Sequence, residues 1–178
     1  GSILNTILNG VIYNFSGSNA FIVGYTSNVQ TNLVIPTTLL VGSTTYNVTG
    51  ISDNAFQNCV NLSSVTIPDS VTSIGSYAFS LCNNLFTVTI QNESNITTIF
   101  TNSFTDVTTN PNSTITFNNV ISFNDLPSIW QTISNYYSLL YIGSTLTKVL
   151  EGVIYNFSGS NAFIVGYTSN VQTNLVIP

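Results

Sequence analysis

One sequence pattern occurs twice in succession near the middle of this chain. Residues 48–70 read VTGISDNAFQNCVNLSSVTIPDS, and residues 71–94 read VTSIGSYAFSLCNNLFTVTIQNES. The two copies keep step for about 23 residues. A fixed period of this length indicates a solenoid, because one such unit buries its apolar face only by stacking on a neighbour. We therefore predict a stack of coils in which Phe56 lies over Phe79.

The residues before the repeat predict short strands. The runs at 11–15 and 20–25 flank the turn sequence SGSN and predict a β-hairpin. The run LVIP at 33–36 resembles VTIP at 65–68 and predicts the first rung of the stack. Residues 37–51 then predict a second hairpin or an extended crossing into the first full repeat.

The residues after the repeat predict a decayed third coil and a closing helix. In 95–119, Ile99 and Phe104 match Ile74 and Phe79. The run 126–142 carries apolar residues at helical spacing and predicts a short helix that closes the core.

The opening of the chain returns at its end. Residues 152–178 are identical to residues 10–36, an offset of 142 residues, and the likeness extends upstream to 143 and 1. The chain therefore holds one module and the start of a second. The predicted regions are hairpins and first rung (1–47), repeats (48–119, in units 48–70, 71–94 and 95–119), capping helix region (120–142) and second copy (143–178).

The composition excludes several classes of function. The chain has one lysine, no arginine, six carboxylates and a net charge of −5, so nucleic acid is not an expected partner. No apolar run is long enough to cross a bilayer, and we expect no membrane insertion. The chain has no histidine, two cysteines and scattered carboxylates. We therefore expect no enzyme activity, no catalytic residues, no metal site and no cofactor.

The repeated pattern VTxIxxxAFxxCxxLxxVTIPxS resembles the BspA-type leucine-rich repeat found in many cell-surface proteins. The likeness covers residues 10–94 and weakens over 95–119. It implies a mainly β fold with short helices: a right-handed parallel solenoid with one short strand and one short helical or 3₁₀ turn per coil, entered by a β-hairpin segment. The short helix predicted over 126–142 would close this solenoid. It also implies an extracellular or cell-surface location and a role in attachment or ligand binding without catalysis.

Alternation along the repeat strands predicts two faces. The predicted inward side chains are Val65, Ile67, Val88, Ile90, Ile115 and Phe117. The predicted outward side chains, which form the candidate binding face, are Ser64, Thr66, Thr87, Thr89, Thr114 and Thr116. Threonine is a common outward strand residue, so this ladder has either a structural role or a binding role toward a protein, a glycan or ordered water.

The cysteines leave two structural alternatives. Cys59 and Cys82 occupy the same position in adjacent repeats. They are either small buried hydrophobic residues in a ladder or a disulfide between neighbouring coils. A reactive thiol has no histidine to serve as its base.

The long repeat predicts a function in assembly. A solenoid ends in an open edge that must be capped or paired. A next copy that docks there would form a rod or filament, so copies of this chain are the expected partners, with a surface protein or glycan in addition. The candidate contacts between modules are Trp130, Tyr136, Tyr137, Tyr155, Phe157, Phe163 and Tyr167. The alternative is a monomeric recognition domain that binds a host protein or glycan through the threonine face.

Overall fold

The computed structural model describes residues 5–92, 95–100, 102–104 and five later strands. Strands and connecting turns make up almost all of it. The strands are β1 (Thr6–Leu8), β2 (Val11–Ser16), β3 (Asn19–Tyr25), β4 (Asn32–Val34), β5 (Thr38–Val41), β6 (Thr44–Ile51), β7 (Ser64–Ile67), β8 (Ser73–Ile74), β9 (Thr87–Ile90), β10 (Thr98–Ile99), β11 (Thr114–Phe117), β12 (Leu139–Ile142), β13 (Thr145–Leu150), β14 (Val153–Ser158) and β15 (Asn161–Tyr167).

The first predicted hairpin is confirmed. Strands β2 and β3 pair antiparallel, and the closing pair Ser16↔Asn19 leaves a two-residue loop. Gly17 takes the first loop position with φ +60, a left-handed conformation that glycine adopts without a Cβ clash. The register shifts between Ile12 and Tyr13, which marks an irregularity near the start of the hairpin.

The second predicted hairpin is also present and begins the solenoid. Strands β5 and β6 pair antiparallel, while β6 also pairs parallel with β3 and with β8. The resulting sheet has the order β1-β2-β3-β6-β8-β10, with β5 on β6. We call it the leading sheet. The N-terminal hairpin thus covers the first edge of the coils.

A second sheet carries the main rung of every coil. Its order is β15-β14-β13-β12-β11-β9-β7-β4, and we call it the ladder sheet. Its rungs align without a shift, so that Leu33 faces Val65 and Val65 faces Val88. The prediction that LVIP forms the first rung is therefore confirmed. The coils are mainly β, as expected for a parallel solenoid, and hydrogen-bonded turns join the two sheets.

The turns themselves are bonded from coil to coil. The backbone N–H groups of Asn54, Phe56 and Asn58 donate to the carbonyls of Ser76, Ala78 and Ser80 at 2.7–2.9 Å. Asn54 and Asn58 have φ of 57 and 59, in the left-handed region. Phe56 lies between these two left-handed residues, and the N–H groups of all three residues donate to carbonyls of the next coil. Neighbouring coils are therefore joined by backbone hydrogen bonds on the turn side as well as in the sheets.

An aromatic stack runs through the core, as the repeat predicts. The ring centroids of Phe56 and Phe79 are 5.1 Å apart with an interplanar angle of 10°. Phe104 continues the stack at 4.9 Å and 3°, and Tyr25 covers its other end at 6.2 Å. The three phenylalanines are buried. Stacked rings of this kind contribute to stability beyond the area they bury. The stack therefore favours the arrangement in which equivalent residues of neighbouring coils lie over one another.

The predicted helix over 126–142 is wrong at its C-terminal end. Residues Leu139–Ile142 form β12, which pairs parallel with β11 and antiparallel with β13. An apolar run of this kind fits either period. A rung on one side and a returning strand on the other both offer backbone partners, which favours the strand. The rest of that prediction, 126–138, lies outside the described residues.

The second copy repeats the pairing of the first. Each strand pair of β13, β14 and β15 has a counterpart in β1, β2 and β3 at the 142-residue offset, including the shift between Ile154 and Tyr155. In addition, β13 pairs with β12. The ladder sheet of the first module therefore continues directly into the hairpin of the second copy.

Candidate functional site

The threonine face is built by alternation on the ladder sheet. Ser64, Thr66, Thr87 and Thr89 are each partly exposed, while the residues between them are buried. Val65, Ile67, Val88 and Ile90 are the buried set, which confirms their predicted inward direction. The side chains of β11 lie outside the described residues, so the predictions for Thr114, Ile115, Thr116 and Phe117 stay predictions.

The face is a regular array of short uncharged side chains. Ser64 faces Thr87, and Thr66 faces Thr89, in adjacent parallel strands. The backbone register continues to Thr114 and Thr116. Hydroxyl groups at sheet spacing can donate and accept hydrogen bonds toward a flat partner, but they provide no acid, base or metal-binding group.

Two residues of this face were missed by sequence reasoning. Asn32 and Val34 lie on the first rung, where they face Ser64 and Thr66. The hydroxyl of Ser64 donates to Oδ1 of Asn32 at 2.8 Å, and Val34 is 66% exposed. Aligning LVIP with VTIP would have placed Val34 beside Thr66. The first rung of the face therefore carries an exposed apolar side chain, Val34.

The candidate contacts between modules remain a prediction. Trp130, Tyr136 and Tyr137 lie outside the described residues. Tyr155 and Phe157 lie on β14, and the strand β15 carries the last two, Phe163 and Tyr167.

The first copy shows what such aromatic residues do inside a module. Tyr13, the counterpart of Tyr155, is buried, and its burial raises its pKa to about 12. Phe15 packs against Tyr46 with ring centroids 4.4 Å apart, and Tyr25 stacks on Phe56. In the first copy these residues serve their own module's core.

The two cysteines are structural. Both are buried free thiols, so the ladder alternative holds and the disulfide does not. The Cys82 thiol donates to the carbonyl of Phe56 at 3.0 Å. Burial raises the pKa of Cys82 to about 12 and also raises the pKa of Cys59. A thiol held protonated in this way is a poor nucleophile.

The rest of the described surface offers few groups for chemistry. An open groove of about 330 Å³ includes Asp53, Gly75 and Phe100 in its lining. The Asp53 carboxylate accepts a hydrogen bond from the N–H of Ser76 at 2.7 Å, so it serves the turn. Within the part of the chain that the structure describes, no cluster of three metal-ligating side chains occurs. No helix in that part is long and apolar enough to span a bilayer.

Comparison with known proteins identifies the repeat. The model of the BspA type leucine rich repeat region matches residues 42–157 with six copies. The chain belongs to the BspA-type leucine-rich-repeat family. It is a structural or binding module, and the leucine-rich-repeat fold is generally non-enzymatic.

Three solved structures resemble the chain. A leucine-rich repeat protein from Bacteroides capillosus ATCC 29799 is 28% identical, with a TM-score of 0.44 over 49% of this chain and 70% of that one. One from Bacteroides ovatus ATCC 8483 is 24% identical, with a TM-score of 0.45 over 51% and 24%. A leucine rich cell surface protein from Faecalibacterium prausnitzii A2-165 is 19% identical, with a TM-score of 0.46 over 95% and 62%. No curated protein matches the chain.

Proposed function

We propose that this chain is a structural or adhesive module of a tandem-repeat rod or filament at a cell surface, in which each module docks head-to-tail with the next copy. The observation that carries the proposal is the pairing of β12 with β13. Strand β12 ends the ladder sheet of the first module, and β13 begins the second copy. A shared sheet supports a stiff joint because its backbone hydrogen bonds resist bending between modules.

The length of the connection favours the same conclusion. Only residues 143–144 separate β12 from β13. Long glycine and serine linkers let domains move independently, whereas a two-residue hairpin loop holds its strands in register. The next module therefore starts in a fixed direction from the end of the first.

The surface chemistry fits a passive role outside the cell. The chain is 4% charged, and the face of the ladder sheet carries hydroxyl groups. A rod needs neither a cofactor nor a catalytic group, and its first partner is another copy of itself. A surface protein or glycan is a further partner in the adhesive version of the proposal.

Small-angle X-ray scattering tests the rod. Chains of one, two and three modules are compared, and each differs from the one before by one 142-residue unit. The longest dimension should increase by the same amount with each added module. A matched variant with a long glycine-serine insertion between residues 143 and 144 should lose this regular increase. Identical scattering with and without the insertion would show that the modules are already flexible beads, and the rod would be discarded.

The alternative function is a monomeric recognition domain that binds a host protein or glycan. The regular exposure of Ser64, Thr66, Thr87 and Thr89 favours it. Replacing Thr66, Thr89 and Thr116 by lysine should abolish adhesion to host cells or a glycan array while leaving the scattering increment unchanged. If adhesion survives, the face is not the binding surface.

A further inference from the structure

Within the described residues, the outer edge of β1 has no partner strand. In the described part of the chain, β1 pairs with β2 alone and is an edge strand of the leading sheet. Its counterpart β13 pairs with β14 on one edge and β12 on the other. The inner pairing is the same in both copies, since Thr6 faces Tyr13 as Lys148 faces Tyr155. The open edge of β1 therefore corresponds to the edge that β12 fills in the second copy.

Strand β13, which has β12 as a partner on its outer edge, is longer than its counterpart β1. Strand β13 has six residues, whereas β1 has three. Thr147 lies inside β13 and faces both Leu140 and Asn156. Its counterpart at the 142-residue offset is Asn5, which is exposed and precedes β1. A strand that paired with the outer edge of β1 would bring Asn5 into the sheet, as β12 does for Thr147.

Nothing on β1 protects this edge. Ile7 is 60% exposed and Leu8 is 44% exposed. Natural edge strands avoid pairing by carrying lysine, proline or a bulge. The second copy has Lys148 at the position of Thr6, while β1 carries no charged residue and no proline. An open edge with apolar side chains selects an extended, uncharged, apolar strand, and β12, with the sequence LLYI, has that chemistry.

We propose that the outer edge of β1 accepts the strand Leu139–Ile142 of a second copy of this chain, antiparallel and with Leu140 opposite Asn5. The inference rests on the proposed function, since it uses the same strand β12, and it adds a joint between separate chains. In the donor chain, β13 must first leave β12, so the chain's own second copy competes with β1 of the other molecule. Because the two surfaces differ, the contact is heterologous and propagates into filaments.

Cysteine crosslinking tests the register. Facing residues in an antiparallel pair have Cα atoms about 4.5–5.5 Å apart, within the range that a disulfide bridges. The donor chain carries Leu140→Cys together with Thr147→Pro, because proline in β13 removes a ladder hydrogen bond and frees β12. The acceptor chain carries Asn5→Cys. After mixing and oxidation, we expect a disulfide-linked dimer, while the buried native thiols do not compete.

The controls separate this inference from the rod. An acceptor with Thr6→Cys should give about tenfold less dimer, because the side chain at this position leaves the opposite face of the strand. A donor that keeps Thr147 should also give about tenfold less dimer, because its own β13 competes for β12 at a higher effective concentration. A single chain with Leu140→Cys and Thr147→Cys should crosslink internally. If the internal crosslink forms but Asn5→Cys gives no more dimer than Thr6→Cys, the acceptor edge is refuted and the rod survives. If the internal crosslink fails, the β12–β13 joint itself is refuted and the rod with it.

Discussion

The first and second coils, residues 48–70 and 71–94, share a buried frame but differ where the backbone is left-handed. Phe56 and Phe79 are both 0% exposed, as are Cys59 and Cys82. At the left-handed positions, however, the first coil has Asn54 and Asn58, with φ of 57 and 59, and the second has tyrosine and leucine.

The difference teaches that the buried positions set the backbone. Tyr77 and Leu81 have φ of 54 and 60, which asparagine tolerates far better than these residues. They adopt it because the turn must follow the coil beneath it, whose N–H groups donate to the carbonyls of Ser76 and Ser80. The second coil therefore carries strain that the first avoids.

Removing a ring from the stack should have the largest effect on stability. Phe79 lies between Phe56 and Phe104, so Phe79→Ala leaves a cavity inside the stack and should cost about 3–5 kcal/mol of unfolding free energy. Phe100→Ala is the control, since Phe100 is 48% exposed and its loss should cost less than about 1 kcal/mol. Urea unfolding measures both. Equal losses would mean that the stack does not hold the coils together.

The thiols should be unreactive in the folded chain. Burial raises the pKa of Cys82 from 9.0 to about 12, which lowers its thiolate fraction at neutral pH about a thousandfold. A thiol reagent at pH 8 should therefore label neither cysteine in the native state and both in urea. Labelling of Cys82 without unfolding would contradict its burial.

The same burial makes stability fall at high pH. The folded-state pKa of Cys82 is raised, so its contribution is fully present below pH 9 and is lost as pH rises toward about 12. Cys82→Ala should flatten this alkaline loss in a series of unfolding measurements. The part due to Tyr13, whose pKa is also raised to about 12, should remain. An unchanged pH profile would show that the thiol is solvated.

A close approach between the coils should make Gly75 intolerant of a side chain. A Cβ there would clash with the backbone nitrogen of Asp53 and would lie 2.6 Å from the carbonyl carbon of Ser52. We expect Gly75→Ala to cost about 1–3 kcal/mol, because backbone atoms must shift to make room. Ser52 occupies the matching place in the first coil, and Ser52→Ala is the control. A fully tolerated Gly75→Ala would mean that the coils are farther apart here.

Relieving the left-handed residues should have the smallest effect, and a stabilising one. Tyr77→Asn and Leu81→Asn should each raise the unfolding free energy by up to about 1 kcal/mol, because both side chains are partly exposed and lose little packing. The reverse change in the first coil, Asn58→Leu, should destabilise by a similar amount. If asparagine destabilises both positions, the side chains of Tyr77 and Leu81 contribute packing that outweighs the strain.

The stack and the leading hairpins could be predicted from the sequence because their signals are local and repeated. The sequence pattern matches Phe104 to Phe79 despite a weaker third repeat, and the ring centroids of the two residues are 4.9 Å apart. The alternation of Val65 and Ile67 with polar residues was enough to orient the strand.

Other features depend on neighbours that are distant in sequence. Leu139–Ile142 forms a strand because β11 and β13 lie on either side of it, and helical spacing of apolar residues does not reveal those partners. The left-handed conformation of Tyr77 and Leu81 comes from the stacked coil, against the preference of both residues. Val34, by contrast, pairs with Thr66 as the alignment of LVIP with VTIP implies, so that position was open to prediction from the sequence.

The stacking of equivalent side chains is tested most directly by a double-mutant cycle between Phe56 and Phe79. Their ring centroids are 5.1 Å apart, so the unfolding free energies of Phe56→Leu, Phe79→Leu and the double variant should reveal a coupling of about 0.5–1.5 kcal/mol. The same cycle between Phe56 and the exposed Phe100 should give additive losses. Additive losses for Phe56 and Phe79 would mean that the two rings do not touch, and the stacked arrangement would be contradicted.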